Sequence, residues 1–103
     1  MQRIAIVLLN NKGIETAKLI QQQLKDEVVI WGLEGRVEDA DKSFKETGTH
    51  LKELFENGIT IIGLCASGIL IRSLAPILNN KRKEPPLLSV SDDGALVVPL
   101  LGG

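Results

Sequence analysis

A turn of small residues follows a short apolar run in the second half of the chain, and its residue types suit ligand binding. Residues 59–64 are apolar and rich in β-branched side chains, which is typical of a buried parallel strand. Cys65, Ala66, Ser67 and Gly68 follow at once. A ligand approaches a backbone closely only where side chains are small, and N–H groups at a helix start attract anions. We therefore expect Ala66, Ser67 and Gly68 to bind substrate; an ordinary N-cap at Ser67 is the structural alternative.

Arg72 is the one charged residue in the apolar first part of the helix predicted over residues 67–80. A charge in such a segment is costly to bury unless it is paired. Helical side chains lean toward the helix N-terminus, so Arg72 can reach back over the small-residue turn, and its planar guanidinium binds a carboxylate bidentately. We expect Arg72 to bind substrate. A solvated arginine and a salt bridge to a neighbouring acid are the alternatives.

Conventional catalytic side chains are few. Cys65 is the only cysteine; it suits a thiolate at a helix N-terminus, but no base is identifiable beside it, so we expect a buried, inert thiol. His50 is the only histidine and is expected at the surface, without a general-base role. Asp92 and Asp93 precede Gly94 and predict a turn, with a catalytic acid or base as the alternative. Catalytic residues stay unassigned, and one histidine with one cysteine predicts no zinc site.

Residues outside the small-residue turn can contribute to the same site. Gly102 and Gly103 need a tightly turned backbone or a close ligand, and we count both among the expected substrate-binding residues. Asn10, Asn11 and Gly13 follow the first strand, at the same sheet edge as the turn if the strands are parallel. They either line the crevice or cap the next helix.

The pattern of apolar residues predicts strands that alternate with helices. Strands are expected over residues 3–9, 27–31, 59–64, 87–91 and 95–100, and helices over residues 13–24, through residues 51–55, and over residues 67–80. Such alternation predicts a three-layer α/β/α fold with a mostly parallel sheet of about five strands, and the final two strands form an antiparallel hairpin. Residues 32–45 are charged and lack a period, so they are expected to be a lid or a loose surface loop.

Local signals place the ends of these elements. Thr47 or Thr49 is expected to cap the second helix, and Gly58 to form its C-terminal turn. Pro99 predicts an edge position for the last strand because proline cannot donate to the ladder. The helix over residues 67–80 is expected to kink at Pro76. Its predicted buried side chains are Leu70, Leu74, Ile77 and Leu78, and the basic residues that follow it, Lys81, Arg82 and Lys83, either are solvated or bind carboxylates.

Length and composition predict a single soluble domain over residues 1–103. The net charge of −1 gives no electrostatic reason to bind nucleic acid or a membrane surface. With only Trp31, Phe44 and Phe55 as aromatic residues, no stacking platform for single strands is expected. No apolar run approaches the ~20 residues of a membrane helix. One cysteine and the absence of a recognisable signal peptide predict a cytoplasmic location, and a homodimer is left open.

The order of motifs in the second half of the chain resembles a known family. The chain reads GLCASGILIRSLAPILNNKRKEPPLLSV and then SDDGALVVPLLGG. This order of small-Gly turn, apolar-apolar-Arg step, Ala-Pro pair, Lys-rich helix end, acidic-Gly turn and terminal Gly pair is similar to the N-terminal domain of cobalt-precorrin 5A hydrolase (CbiG). The first strand and first helix fit as well, so the resemblance covers nearly the whole chain, with little contribution from residues 31–49.

The resemblance implies an enzyme of cobalamin biosynthesis. Members of the family open the δ-lactone of cobalt-precorrin 5A, a carboxylated cobalt-tetrapyrrole, and release acetaldehyde. The resemblance implies that this domain forms part of the tetrapyrrole site, that Arg72 matches the family arginine, and that the cobalt belongs to the substrate, so no resident cofactor is expected.

The resemblance also implies that the chain is a fragment of a longer protein, with the remainder of that protein as its partner; a naturally short protein is the alternative. In some organisms the domain is fused to precorrin-3B methyltransferase, and S-adenosylmethionine would then be needed by that other domain; this chain carries no glycine-rich cofactor signature. The alternatives are a non-catalytic module that binds a carboxylated ligand or docks against a catalytic domain, and a phosphotransfer domain built on Cys65, for which the basic, glycine-rich loop is missing.

Overall fold

The computed structural model describes residues 3–78 and 84–102. Within them the chain forms six strands and three α-helices. The strands are β1 (Arg3–Leu8), β2 (Glu27–Leu33), β3 (Lys42–Phe44), β4 (Thr60–Leu64), β5 (Leu87–Val90) and β6 (Val97–Leu101); the helices are α1 (Ile14–Gln23), α2 (Thr47–Glu56) and α3 (Ser67–Leu74). Short 3₁₀ turns, Asn11–Gly13 and Ala75–Ile77, precede α1 and follow α3. No helix within these residues is long and apolar enough to cross a bilayer.

The six strands form one sheet in the order β3-β2-β1-β4-β5-β6. The neighbouring pairs from β3 to β5 are parallel, and only β6 is antiparallel, to β5. In the central register Ile6 lies between Ile30 and Ile62, so apolar β-branched residues fill the middle of the sheet. The predicted α/β class, the mostly parallel sheet and the closing hairpin are confirmed, with six strands in place of about five.

Helices cover both faces of the sheet and give it two cores. On one face α1 packs through Ala17, which is fully buried with Ile6 and Leu64. On the other face α2 and α3 pack together, and Phe55 and Leu70 are among the buried side chains. The three layers follow from right-handed crossovers, which place the helix between β1 and β2 opposite the two helices that flank β4.

The segment over residues 32–45 is not the lid or loose loop that its composition predicts. It completes β2 and contains β3, which pairs with β2 at the sheet edge. The Asp41 carboxylate accepts hydrogen bonds from the Ile30 N–H at 2.9 Å and from the Gln21 side chain at 2.8 Å. Val37 lies directly over Gly32, where an added Cβ would come within 2.6 Å of it. The three residues of β3 are too few to show the alternation of apolar and polar side chains that predicts a strand. Pairing with β2 and the contacts of this segment define β3 instead.

Helix α3 is shorter than its apolar pattern predicts. It ends at Leu74, and the chain continues as the 3₁₀ turn that contains Pro76. Proline lacks the N–H that a continuing α-helix needs, so it ends the helix here and does not merely kink it. Ile77 packs against the core as expected, but Leu78 is 39% exposed, contrary to the prediction. The basic residues 81–83 lie outside the described residues.

Glu46, and neither Thr47 nor Thr49, caps helix α2. Its carboxylate accepts hydrogen bonds from the N–H groups of Gly48 and Thr49. Hydrogen bonds to the Thr49 side chain and to these backbone groups hold the pKa of Glu46 below its usual value. A side-chain oxygen at the N-cap accepts hydrogen bonds from the first N–H groups of a helix, and a negative charge there interacts favourably with the helix dipole. The predicted turn at Gly58 is confirmed, with φ of 72°.

The hairpin between β5 and β6 has a longer turn than expected. Gly94 has φ of 76°, and the Asp93 carboxylate accepts hydrogen bonds from the Ser91 hydroxyl at 2.8 Å and from the Ala95 N–H at 2.9 Å. β5 therefore ends at Val90, one residue earlier than predicted, and β6 begins at Val97, two residues later than predicted. Pro99 lies on β6 at the sheet edge, as predicted.

Candidate functional site

A crevice of about 390 Å³ opens at the carboxyl ends of β1, β4 and β5. Its floor lies where the chain changes direction across the sheet, because β2 and β3 follow on one side of β1 and β4 and β5 on the other. Ligands of open α/β sheets bind at this point. The lining residues are Leu9, Asn10, Lys12, Leu64, Cys65, Ala66, Ile69, Val90, Ser91 and Asp92.

The N-terminus of α3 borders the crevice without a side-chain cap. Its N-cap is Ala66, in an extended conformation, so Ser67 is the first helical residue and does not cap. Of the other two helices, α2 is capped by the Glu46 side chain, whereas α1 has no side-chain cap of its own and continues the 3₁₀ turn that Asn10 caps. In a helix the first N–H groups have no intrahelical acceptor. Those of Ser67 and Gly68 are therefore suited to bind an anion.

The side chain of Arg72 reaches back over the first turn of α3. Its Nη1 lies 3.9 Å from the position that a Cβ on Gly68 would occupy. The residue is exposed, and no ion pair of Arg72 is found within residues 3–78 and 84–102. The lean toward the helix N-terminus follows from helix geometry, as expected. Ser67, Gly68 and Arg72 thus form one cationic end of α3 next to the crevice.

Burial makes Cys65 a poor nucleophile. Burial, and secondarily the charge of Asp92, raises the pKa of its thiol from 9.0 to about 11. The residue is partly buried and packs against the core. This geometry favours the inert thiol over a phosphotransfer role, because the thiolate is the reactive form.

We expect Cys65 to react slowly with iodoacetamide at pH 7. A rise from 9.0 to about 11 lowers the thiolate fraction by about a hundredfold, and alkylation depends on that fraction. The measurement compares the alkylation rate of the native chain with that of the chain unfolded in urea. Equal rates in the two states would contradict the buried position of the thiol.

Lys12 and Asp92 are crevice residues that the sequence pattern does not reveal as a pair. Lys12 follows β1 and Asp92 follows β5, and both line the crevice. Asp92 is the only carboxylate among the described residues that line it. The sequence signal that could have identified both residues is their position, since each follows a strand whose carboxyl end lies at the crevice. Their approach depends on strand order, which sequence periodicity does not show.

Gly102 is not brought together with the other expected binding residues. Because β6 is antiparallel, its end pairs with the start of β5 at the opposite edge of the sheet, where Leu101 lies opposite Leu87. Gly102 has φ of 65°, and a Cβ there would lie 2.9 Å from backbone atoms of Pro85 and Pro86. Close backbone packing accounts for this glycine. Gly103 lies outside the described residues.

The three residues after β1 have different contacts. The Asn10 side chain lines the crevice and accepts a hydrogen bond from the Lys12 N–H at 2.9 Å. The Asn11 side chain instead accepts one from Glu38 N–H at 2.8 Å, away from the crevice. Gly13 packs on β4, where a Cβ would lie 2.7 Å from Leu64. Of the three, only Asn10 lines the crevice.

His50 is buried, contrary to the expected surface position. It is 7% exposed and stacks on Phe44, with ring centroids 4.4 Å apart and an interplanar angle of 6°. The Trp31 ring lies equally close. Its Nε2 is buried without a hydrogen-bond partner among the described residues. The prediction for His50 was wrong because strand β3 was not predicted, and Phe44 on that strand forms the surface on which His50 packs.

The described residues contain no group of three or more histidine, cysteine, aspartate or glutamate side chains placed to hold a metal ion.

Comparisons with known proteins bear on the sequence of the second half of the chain and on the fold of nearly all of it. The profile of the family described as cobalamin synthesis G N-terminal matches residues 49–103, more than half of the chain. The chain belongs to this family. The residues matched to the cobalamin synthesis G family include α3, Arg72 and Asp92, so they cover most of the crevice.

A solved structure shows the same fold. The chain is similar to the crystal structure of a cobalamin biosynthesis protein G homolog from Sulfolobus solfataricus, with a TM-score of 0.69 and 20% sequence identity. The alignment covers 98% of this chain and 29% of that protein, so the chain spans less than a third of its length. No curated protein matches the chain in sequence.

Proposed function

We propose that this domain forms part of the site at which the δ-lactone of cobalt-precorrin 5A is opened and acetaldehyde is released. Membership in the cobalamin synthesis G family supports the pathway. The observation that carries the proposal is the uncapped N-terminus of α3, which borders the crevice at the strand switch point and has Arg72 over its first turn.

The proposed chemistry requires an anion site. Water adds to the lactone carbonyl, the ring C–O bond breaks, and the freed alkoxide collapses to acetaldehyde while the electron pair of the broken C–C bond passes to the macrocycle. Backbone N–H groups aimed at a developing oxyanion stabilise such a step strongly. The N–H groups of Ser67 and Gly68 suit this role. Cobalt enters with the substrate, so the proposal needs no resident cofactor.

The size and charge of the crevice suit part of the substrate. Ligand pockets commonly measure about 300–1,000 Å³, and 390 Å³ accepts the edge of a tetrapyrrole with its carboxylate side chains. Lys12 inside the crevice and Arg72 at its border supply positive charge for those carboxylates. The rest of the macrocycle would lie outside, against the other parts of a cobalamin synthesis G protein.

Replacing Arg72 by alanine is expected to weaken binding of cobalt-precorrin 5A about 10- to 100-fold, since a charged hydrogen bond contributes about 1.5–3 kcal/mol. Stability should change little because the side chain is exposed. Titration calorimetry measures Kd, and thermal unfolding measures stability. Arg36→Ala is the matched control: Arg36 is exposed and does not line the crevice, so binding should be unchanged. Unfolding of the Arg72 variant would show that the arginine is structural.

Acetaldehyde release from cobalt-precorrin 5A separates this function from its alternative. Release by the chain alone would show that its residues suffice. Release only by a complete cobalamin synthesis G protein would support the second candidate, a binding or docking domain; the 29% coverage of the longer protein favours that candidate. Release by neither would contradict the proposed reaction.

A further inference from the structure

Asp92 lines the crevice but has no role in the function proposed above, which depends on Ser67, Gly68 and Arg72. It is the only carboxylate among the described residues lining the crevice, which it enters from the β5 side, while Cys65 and Ala66 line it from β4 and the start of α3. A carboxylate thus lies across a small crevice from a helix N-terminus suited to an oxyanion.

The backbone at Asp92 is anchored to α1. The Thr16 hydroxyl donates a hydrogen bond to the Asp92 carbonyl, 76 residues away in sequence. The next residues of the turn pack on the same side chain, since a Cβ on Gly94 would lie 3.2 Å from the Thr16 methyl group. The hairpin tip is therefore held against α1, which keeps the Asp92 side chain at the crevice.

The adjacent aspartate has a different environment. The Asp93 carboxylate accepts hydrogen bonds from Ser91 and Ala95, within the turn, and does not line the crevice. Hydrogen bonds from the Ala95 N–H and the Ser91 hydroxyl hold the pKa of Asp93 below its usual value. Of the two neighbouring aspartates, Asp92 therefore lines the crevice, whereas Asp93 stabilises the turn.

We propose that Asp92 is the general base of the lactone opening, a proposal that rests on the proposed function. Its carboxylate removes a proton from the attacking water, whose oxygen bonds to the lactone carbonyl carbon. After the ester C–O bond and then the C–C bond break, the macrocycle holds the electron pair, and Asp92 returns the proton to it. One hydrogen of the water ends on the new carboxylic acid and the other on the macrocycle, so the reaction needs no further reactant.

Asp92→Asn should lower the rate of acetaldehyde release by about 10²- to 10⁴-fold, the usual contribution of a positioned acid–base group. Binding of cobalt-precorrin 5A should change by less than a few-fold, because asparagine keeps the shape. The ionisable residues around Asp92 are Lys12, Glu15, Cys65 and Asp93, so Asp93→Asn is measured in parallel and should keep the rate of the unaltered protein.

The assay uses whichever form of the protein releases acetaldehyde, the chain or the complete protein. An Asp92→Asn rate equal to that of the unaltered protein would overturn the base role and leave the proposed function standing. Equal losses in the Asp92 and Asp93 variants would also overturn it, since they would point to a disturbed turn. Thr16→Val, which removes only the anchoring hydroxyl, should reduce the rate less than Asp92→Asn does. Absence of release from every unaltered form would overturn the base role together with the reaction.

Discussion

Gly63→Ala should lower the free energy of unfolding by about 1–3 kcal/mol, the usual cost of inserting a methyl group into a packed core. Gly63 lies in β4, and its missing side chain allows Leu70 of α3 to pack directly on the strand. An added Cβ would lie 2.8 Å from both terminal methyl groups of Leu70. Leu70 is fully buried, so it has no free space into which it can move. Urea unfolding measures the change.

The same contact positions the candidate site. Helix α3 carries the N–H groups of Ser67 and Gly68 and the side chain of Arg72, so a shift of Leu70 displaces them relative to the crevice. Gly63→Ala should therefore weaken ligand binding in addition to its effect on stability. Interiors are close-packed and transmit such strain.

Gly68→Ala is the matched control, the same substitution five residues later. At Gly68 the nearest atom to an added Cβ is Arg72 Nη1 at 3.9 Å, which is ordinary contact. Alanine favours the helix by about 0.4–1 kcal/mol relative to glycine, so this variant should be slightly more stable. A Gly63→Ala protein as stable as the Gly68→Ala protein would contradict the packing of α3 on β4.

His50→Phe should stabilise the domain and reduce its sensitivity to mild acid. The buried Nε2 has no hydrogen-bond partner among the described residues, and such a group costs about 1–3 kcal/mol. Phenylalanine keeps the stack on Phe44 and removes the polar atom. Urea unfolding at pH 7.5 should show the gain in stability.

The pH dependence follows from the direction of the pKa shift. Burial lowers the pKa of His50 below 6.5, and the charge of Glu53 opposes this only in part. As the pH falls below 6.5, the unfolded chain binds a proton that the folded domain does not, so folding stability decreases toward the lowered pKa. Above 6.5 both states are neutral and the effect is absent. The His50→Phe protein should lack this decrease.

Thr60→Val distinguishes the stability effect of a buried, unpartnered polar atom from the pH effect of a titrating side chain. Thr60 Oγ1 is also buried without a partner among the described residues, so valine should stabilise the domain by a similar mechanism. Threonine does not titrate, so the decrease below pH 6.5 should persist in this variant. A His50→Phe protein that keeps the full decrease would contradict the assignment of this pH dependence to His50.

Most of the fold could be predicted from local patterns. The strand over residues 59–64, the turn at Gly58, the hairpin around Gly94 and the edge position of Pro99 all depend on neighbouring residues, and the structure confirms them. The errors arise where distant contacts decide. Strand β3 is only three residues long and is defined by pairing with β2, and the burial of His50 depends on Phe44 of that strand.

The sequence alone determined the α/β class, the small-residue turn at Ala66–Gly68 and the reach of Arg72 over the first turn of α3. Each of these depends on residues that are close together in the sequence, within one strand, one turn or one helix, so the order of residue types along the chain is enough to predict it. Only the tertiary structure placed Lys12 and Asp92 in one crevice and moved Gly102 to the opposite edge of the sheet. Strand order and direction decide those distances, because residues 80 positions apart meet only when the intervening strands are arranged in the sheet.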